Sequence, residues 1–104
     1  MEGFIRIPKK MFSDRRYRKL SDGAKLLYGL MVDRTELSAK NGWVDKSGKV
    51  FIYFTVGDVV EHFGCSPGKA IKMLKELDHN GACLIYRESK GQGRPNAVYV
   101  MSYV

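Results

Sequence analysis

Three features of the 104-residue chain predict an α+β fold of the winged helix-turn-helix class. A capped helix candidate at residues 55–63 runs into a second at 66–80 across the short turn Gly64-Cys65-Ser66. Two strand candidates, 84–88 and 97–101, follow and enclose a basic, glycine-rich loop. A long amphipathic helix candidate and a β-rich stretch precede them and supply a body for the unit to pack on. The expected architecture is one domain, residues 1–104, with an N-terminal arm, a central β-hairpin and a C-terminal wing hairpin.

The elements follow in order. Phe4-Ile5-Arg6-Ile7 alternates loosely and predicts a short strand ended by Pro8. In KKMFSDRRYRKL (residues 9–20), Ser13 or Asp14 is positioned to cap a helical turn carrying Arg15, Arg16, Arg18 and Lys19. Phe12, Tyr17 and Leu20 would anchor it. Such a segment is either a phosphate-contacting arm or a solvated basic turn.

Residues 21–37 predict a long helix with two apolar stripes. Ala24, Leu27, Tyr28 and Met31 form one; Leu26, Leu30 and Leu37 form the other, on roughly the opposite side. A helix apolar on two sides needs cover on both, from the chain's own N-terminal segment and hairpin or from a second subunit. Residues 43–54 read as a β-hairpin whose second arm, Val50-Phe51-Ile52-Tyr53-Phe54, is expected to be covered on both faces. Trp43, Phe51 and Tyr53 are either a base-stacking platform or, as strand spacing favours, core.

Thr55 with Asp58 makes a capping box for a short helix burying Val56, Val59, Val60 and Phe63. Gly64 suits the left-handed position at its end. Ser66 caps the next helix and Pro67 takes its first position. Ala70, Ile71, Leu74 and Leu77 form its apolar face, Lys69, Lys72 and Lys75 lie away from it, and Gly81 ends it. Residues 89–96, SKGQGRPN, then form the wing tip, with no acidic residue.

The formal net charge is +7. Residues 1–20 hold seven basic and two acidic side chains, 21–63 five and six, and 64–104 six and three. The excess thus sits at the two ends, and it favours a polyanionic partner. No apolar run spans a bilayer and the N-terminus lacks a signal-peptide core, so a cytoplasmic protein is expected. Cys65 and Cys83 form no CxxC pair and have no histidine at ligand spacing, so reduced thiols and no metal are expected. His62 and His79 lack nucleophile or carboxylate partners in the sequence, and no GxxxxGK[ST] occurs. No enzyme and no cofactor are expected.

The partner this pattern fits is double-stranded DNA. Arg15 and Arg16 in the arm, Ser66 at the helix start, and Lys90, Gln92, Arg94 and Asn96 in the wing are candidate DNA contacts, mainly to phosphate. Gly68, Lys69, Lys72 and Met73 are candidates for base edges, with Lys75 further along on the backbone. Met73 suits either a thymine methyl or the edge of the core. The first two turns of this helix lack Arg, Asn and Gln, the usual bidentate readers, so Arg94, Asn96 or DNA shape would supply part of any specificity. A transcription regulator of the same fold shares this chemistry. A winged helix used for protein contacts is a third reading, and the basic wing counts against it.

Residues 20–55, LSDGAKLLYGLMVDRTELSAKNGWVDKSGKVFIYFT, resemble the segment that marks the N-terminal domain of plasmid replication initiators of the RepA_N type. The resemblance runs from FIRIPKKMF through the helix-turn-helix to GRPNAVYV, and LSAKNGWVDKSGKVFIYFT is its most specific part. It implies a winged helix that binds direct repeats at a replication origin, often as a homodimer. It also implies a longer initiator continuing past Val104 into a linker and a C-terminal domain. Residues 81–84 look longer than the family pattern, and the wing KGQGRPN differs from the commoner KQGLGKPN.

Overall fold

A computed structural model describes residues 4–101. Its elements are α1 (Lys10–Ser13), α2 (Arg15–Arg18), α3 (Asp22–Lys40), β1 (Ile52–Tyr53), α4 (Val56–Phe63), α5 (Pro67–Leu77), β2 (Ile85–Glu88) and β3 (Ala97–Val100).

Caps set where the helices begin. Asp14 caps α2 by accepting the Arg16 backbone N–H at 2.8 Å. Ser21 Oγ accepts Ala24 N–H at 3.2 Å and starts α3, which runs on to Lys40, three residues past the expected end. Thr55 and Asp58 satisfy each other's backbone N–H groups at the start of α4. Ser66 Oγ accepts Lys69 N–H at 3.2 Å, and Pro67 opens α5. Gly64 turns between the two helices at φ 62°, a conformation glycine reaches without a Cβ penalty.

The helix α5 stops at Leu77, short of the expected residue 80. Asp78 leaves helical geometry, and its carboxylate accepts the Asn80 backbone N–H at 2.8 Å, which competes with helix continuation. The following turn folds tightly back on the helix. Ala82 N–H reaches the Glu76 carbonyl at 2.8 Å, and a Cβ at Gly81 would lie 2.1 Å from that same oxygen. Only glycine fits there, so residues 81–84 form a compact turn.

Two strand expectations are corrected. Residues 4–8 form no strand. Ile5 and Ile7 instead lie across α3 at Gly29, where an added Cβ would stand 3.1–3.2 Å from both. The chain's own N-terminal segment therefore covers part of α3, while Leu26 (43% exposed) and Leu37 (55%) stay uncovered.

The second correction concerns the central hairpin, which is reduced to a single bridge, Val44 to Val50. Its second arm leaves to pair antiparallel with β3, Ile52 opposite Val98 and Tyr53 opposite Ala97. The three-stranded sheet has the order β1-β3-β2. Burial explains the switch, because Ile52 and Phe54 reach the core only from the sheet layer against α3. Phe51 and Tyr53 on the other face are only half-buried, so one face of the arm is fully covered, not two.

Trp43, Phe51 and Tyr53 are therefore not core residues. Trp43 is 46% exposed. Along each strand side chains alternate between faces, and Ile52, Ile85 and Val98 take the inner one. The outer face holds a row of rings with centroids 5.5–6.2 Å apart: Tyr86, Tyr99, Phe51, Tyr53 and Trp43. Tyr99 donates to Asp45 at 3.0 Å and ties the 43–51 loop across this face. The core lies inside, where Leu27, Tyr28 and Met31 of α3 meet Val59, Met73, Leu74, Leu77, Leu84 and Ile85.

Candidate nucleic-acid interface

The buried face of α5 is Ala70, Met73, Leu74 and Leu77, each at most 1% exposed. At 100° per residue, Gly68, Lys72 and Lys75 fall opposite it, with Ile71 on one flank and Glu76 on the other. This outer face floors an open concavity of about 710 Å³. Arg16, Lys19 and Leu20 of the arm form one wall, and Asn80, Gly81 and Ala82 close its end. The arm and the helix thus present four basic side chains, Arg16 and Lys19 with Lys72 and Lys75 more than 50 residues onward in sequence, to one space.

Nearby carboxylates are engaged. Glu76 accepts both the backbone N–H and the hydroxyl of Ser21, each at 2.8 Å, and so pins α5 to the start of α3. Asp14 receives Arg16 at 2.9 Å; that hydrogen bond holds its carboxyl down at about 2. Arg16 remains largely exposed, so its pairing is screened by water and exchangeable for another anion.

At the far end of α5, Asp78 is 1% exposed and pairs with Arg87 of β2. Burial alone would raise its pKa. Hydrogen bonds from the Asn80 N–H and Arg87 outweigh that and leave it below the ordinary carboxylate value. This pair ties the end of α5 to the strand that leads into the wing.

The expected contact residues divide. Arg16, Gly68, Lys72 and Lys75 come together in the concavity. Arg15 and Lys69 are exposed beside it without lining it. Ser66 is exposed and acts as the cap. Met73 is corrected: it is 1% exposed, with its sulfur packed over Gly23, and cannot meet a base.

Lys90 lies beside the aromatic row of the sheet. It is half-buried, bonds Glu88 at 3.1 Å, and stands 5.9 Å above the Phe51 ring on the outer sheet face. The Glu88 hydrogen bond raises its pKa. Gln92 is exposed at the wing tip. Arg94 and Asn96 line a smaller concavity of about 260 Å³ with Thr55, Val56, Leu74 and Arg87, between the wing and the start of α4.

Four further residues shape the site without a local signal strong enough to mark them. Lys19 is one of several basic residues in the arm, and only the fold brings it to the concavity. Ile71 falls at apolar spacing, yet it is 42% exposed. Its adjacency to Ala70 was the available signal, since neighbours 100° apart cannot both centre on one face. Glu76 and Arg87 act through partners distant in sequence, and no local pattern marks them.

Among the described residues no helix is long and apolar enough to cross a membrane, and no three His, Cys, Asp or Glu side chains converge as metal ligands. Helix-turn-helix, closing hairpin and a basic concave face on the second helix define a winged-helix protein. The chain belongs to the family described as the N-terminus of replication initiator protein A (RepA), which matches residues 3–104.

A 41 kDa protein of Lactobacillus helveticus is 26% identical over 104 residues, covering 96% of this chain and 30% of that protein. The chain therefore spans under a third of this curated relative. Two solved structures, the N-terminal domain of a DNA-binding protein and a Rep–DNA complex, each match 99% of this chain with TM-score 0.84 and 32% identity. The match covers 77% of the first and 78% of the second. An MDR initiator matches with TM-score 0.80 and 33% identity, over 99% of this chain and 79% of its own.

Proposed function

We propose that this chain is the double-stranded-DNA-binding module of a plasmid replication initiator. The observation that carries the reading is the concave face of α5, where Arg16, Lys19, Lys72 and Lys75 surround a helix whose neighbouring carboxylates Asp14 and Glu76 already have partners. A positive helix face flanked by a basic arm suits a major groove with phosphates along its edge. The likeness to a Rep–DNA complex at 32% identity supports the same assignment. In this reading the sites are direct repeats at an origin and the protein acts in the cytoplasm. A homodimer would use the uncovered Leu26 and Leu37 stripe of α3.

Duplex titrations across about 50–200 mM salt test it. Affinity should fall steeply with salt, and Lys72→Ala with Lys75→Ala should lower the log–log slope by about one to two. Absence of duplex binding at low salt would refute the proposal. Selected footprints containing direct repeats support initiation, whereas one inverted repeat points to regulation.

A further inference from the structure

We propose that Gly68 and Ile71 form a notch that reads the 5-methyl group of a thymine in the major groove. The inference rests on the duplex-binding reading above. Among the large apolar side chains of α5, Ile71 alone is exposed, at 42%, while Met73, Leu74 and Leu77 are each at most 1% exposed. It lines the same concavity as Lys72 and Lys75.

A helical side chain leans toward the helix N-terminus and covers the turn before its own Cα. For Ile71 that turn holds Gly68, which has no side chain. A Cβ added at Gly68 would meet nothing closer than Ser66 Oγ at 4.0 Å, so the space above that backbone is open. The result is a recess with an apolar wall and a bare backbone floor. Ile71 is β-branched and stiff at χ1, so the wall is set before any ligand arrives.

The major-groove edges of the bases present donors, acceptors and one apolar group, the thymine methyl. That methyl is the group an isoleucine wall accepts. Lys72 and Lys75 alongside are donors only, so the amino group of a cytosine would find no acceptor from them. Methyl reading also answers the lack of Arg, Asn and Gln on the first two turns: this helix distinguishes thymine by shape and apolarity.

The test uses the full chain and a duplex that it recovers from a random-sequence pool. Each thymine of that duplex is replaced in turn by deoxyuridine, which deletes only the methyl. The wild-type chain should lose about fourfold in affinity at one thymine per bound copy, the value of one buried carbon group. Ile71→Ala should lose a similar factor on the thymine duplex and show no further loss with uracil at that position. Ile71→Val should retain most of the discrimination.

Ile71→Ala lies on an exposed helix position and alanine favours helix, so its melting temperature should match the wild type. Recovered duplexes without any uracil effect, or with the same effect in Ile71→Ala, would overturn the notch and leave duplex binding standing. Recovery of no duplex would overturn both.

Discussion

Replacing Arg87 by alanine probes the tie between α5 and the wing. The Asp78 side chain is 2% exposed and Arg87 28% exposed. Removing one partner of a fully buried pair costs about 3–5 kcal/mol. Here the orphaned carboxylate keeps two hydrogen bonds, from Asn80 N–H at 2.8 Å and from the Asn80 amide at 3.1 Å. Arg87 also reaches solvent, so the loss should approach that of one hydrogen bond to a charge, about 2 kcal/mol.

For a domain near 100 residues, 1 kcal/mol moves the melting temperature by about 4–8 °C, so a fall of roughly 8–16 °C is expected. Circular-dichroism melts of the full chain measure it. Asp78→Ala should fall by a comparable amount. The double variant should fall by much less than the sum, because each single change already breaks the pair. Duplex affinity, measured well below both midpoints, should also decline, since the wing loses its fixed angle to α5. A fall under roughly 2 °C, or additive losses in the double variant, would refute the reasoning.

Two further outcomes are expected. Arg94→Ala should make the salt dependence of duplex binding shallower by about one unit, while Lys90→Ala should change it less, because Lys90 is held by Glu88 over the Phe51 ring; equal slopes for the two variants would contradict this placement. Thermal stability should fall as pH drops from about 4 toward 2, because Asp14 (down at about 2), Asp45 and Asp78 have folded-state pKa values below their unfolded ones, so the unfolded chain takes up protons first. Asp78→Asn should flatten that acid limb, and a wild-type melting temperature constant from pH 5 to 3 would count against it.

The helix-turn-helix was legible because its determinants are local. The Thr55–Asp58 capping box, Gly64 at positive φ, and the Ser66–Pro67 start act within three or four residues of themselves. The end of α5 was less legible, because Asp78 stops the helix with a side-chain bond that competes with helical geometry.

The candidate site was half legible. Charge singled out Arg16, Lys72 and Lys75, which the fold brings to one concavity, but periodicity locates a helix face only to within a residue or so. It therefore exchanged Ile71, which faces out, with Met73, which packs over Gly23. The direction of Lys90 was not legible, because a charge in a loop carries no direction until a partner such as Glu88 supplies one.

The sequence by itself determined the starts and caps of α3, α4 and α5, the helix-turn-helix followed by a hairpin, and the sign of the charge on the two ends, because backbone hydrogen bonds and apolar spacing act over a few residues. Only the tertiary structure decided that β1 abandons its neighbouring arm for β3, 45 residues onward, since burying Ile52 and Phe54 against α3 is a non-local gain. It likewise decided which side of α5 faces outward and that the N-terminal arm stands beside it. Those positions follow from Glu76 reaching Ser21, Asp78 reaching Arg87, and core packing that no short stretch of chain encodes alone.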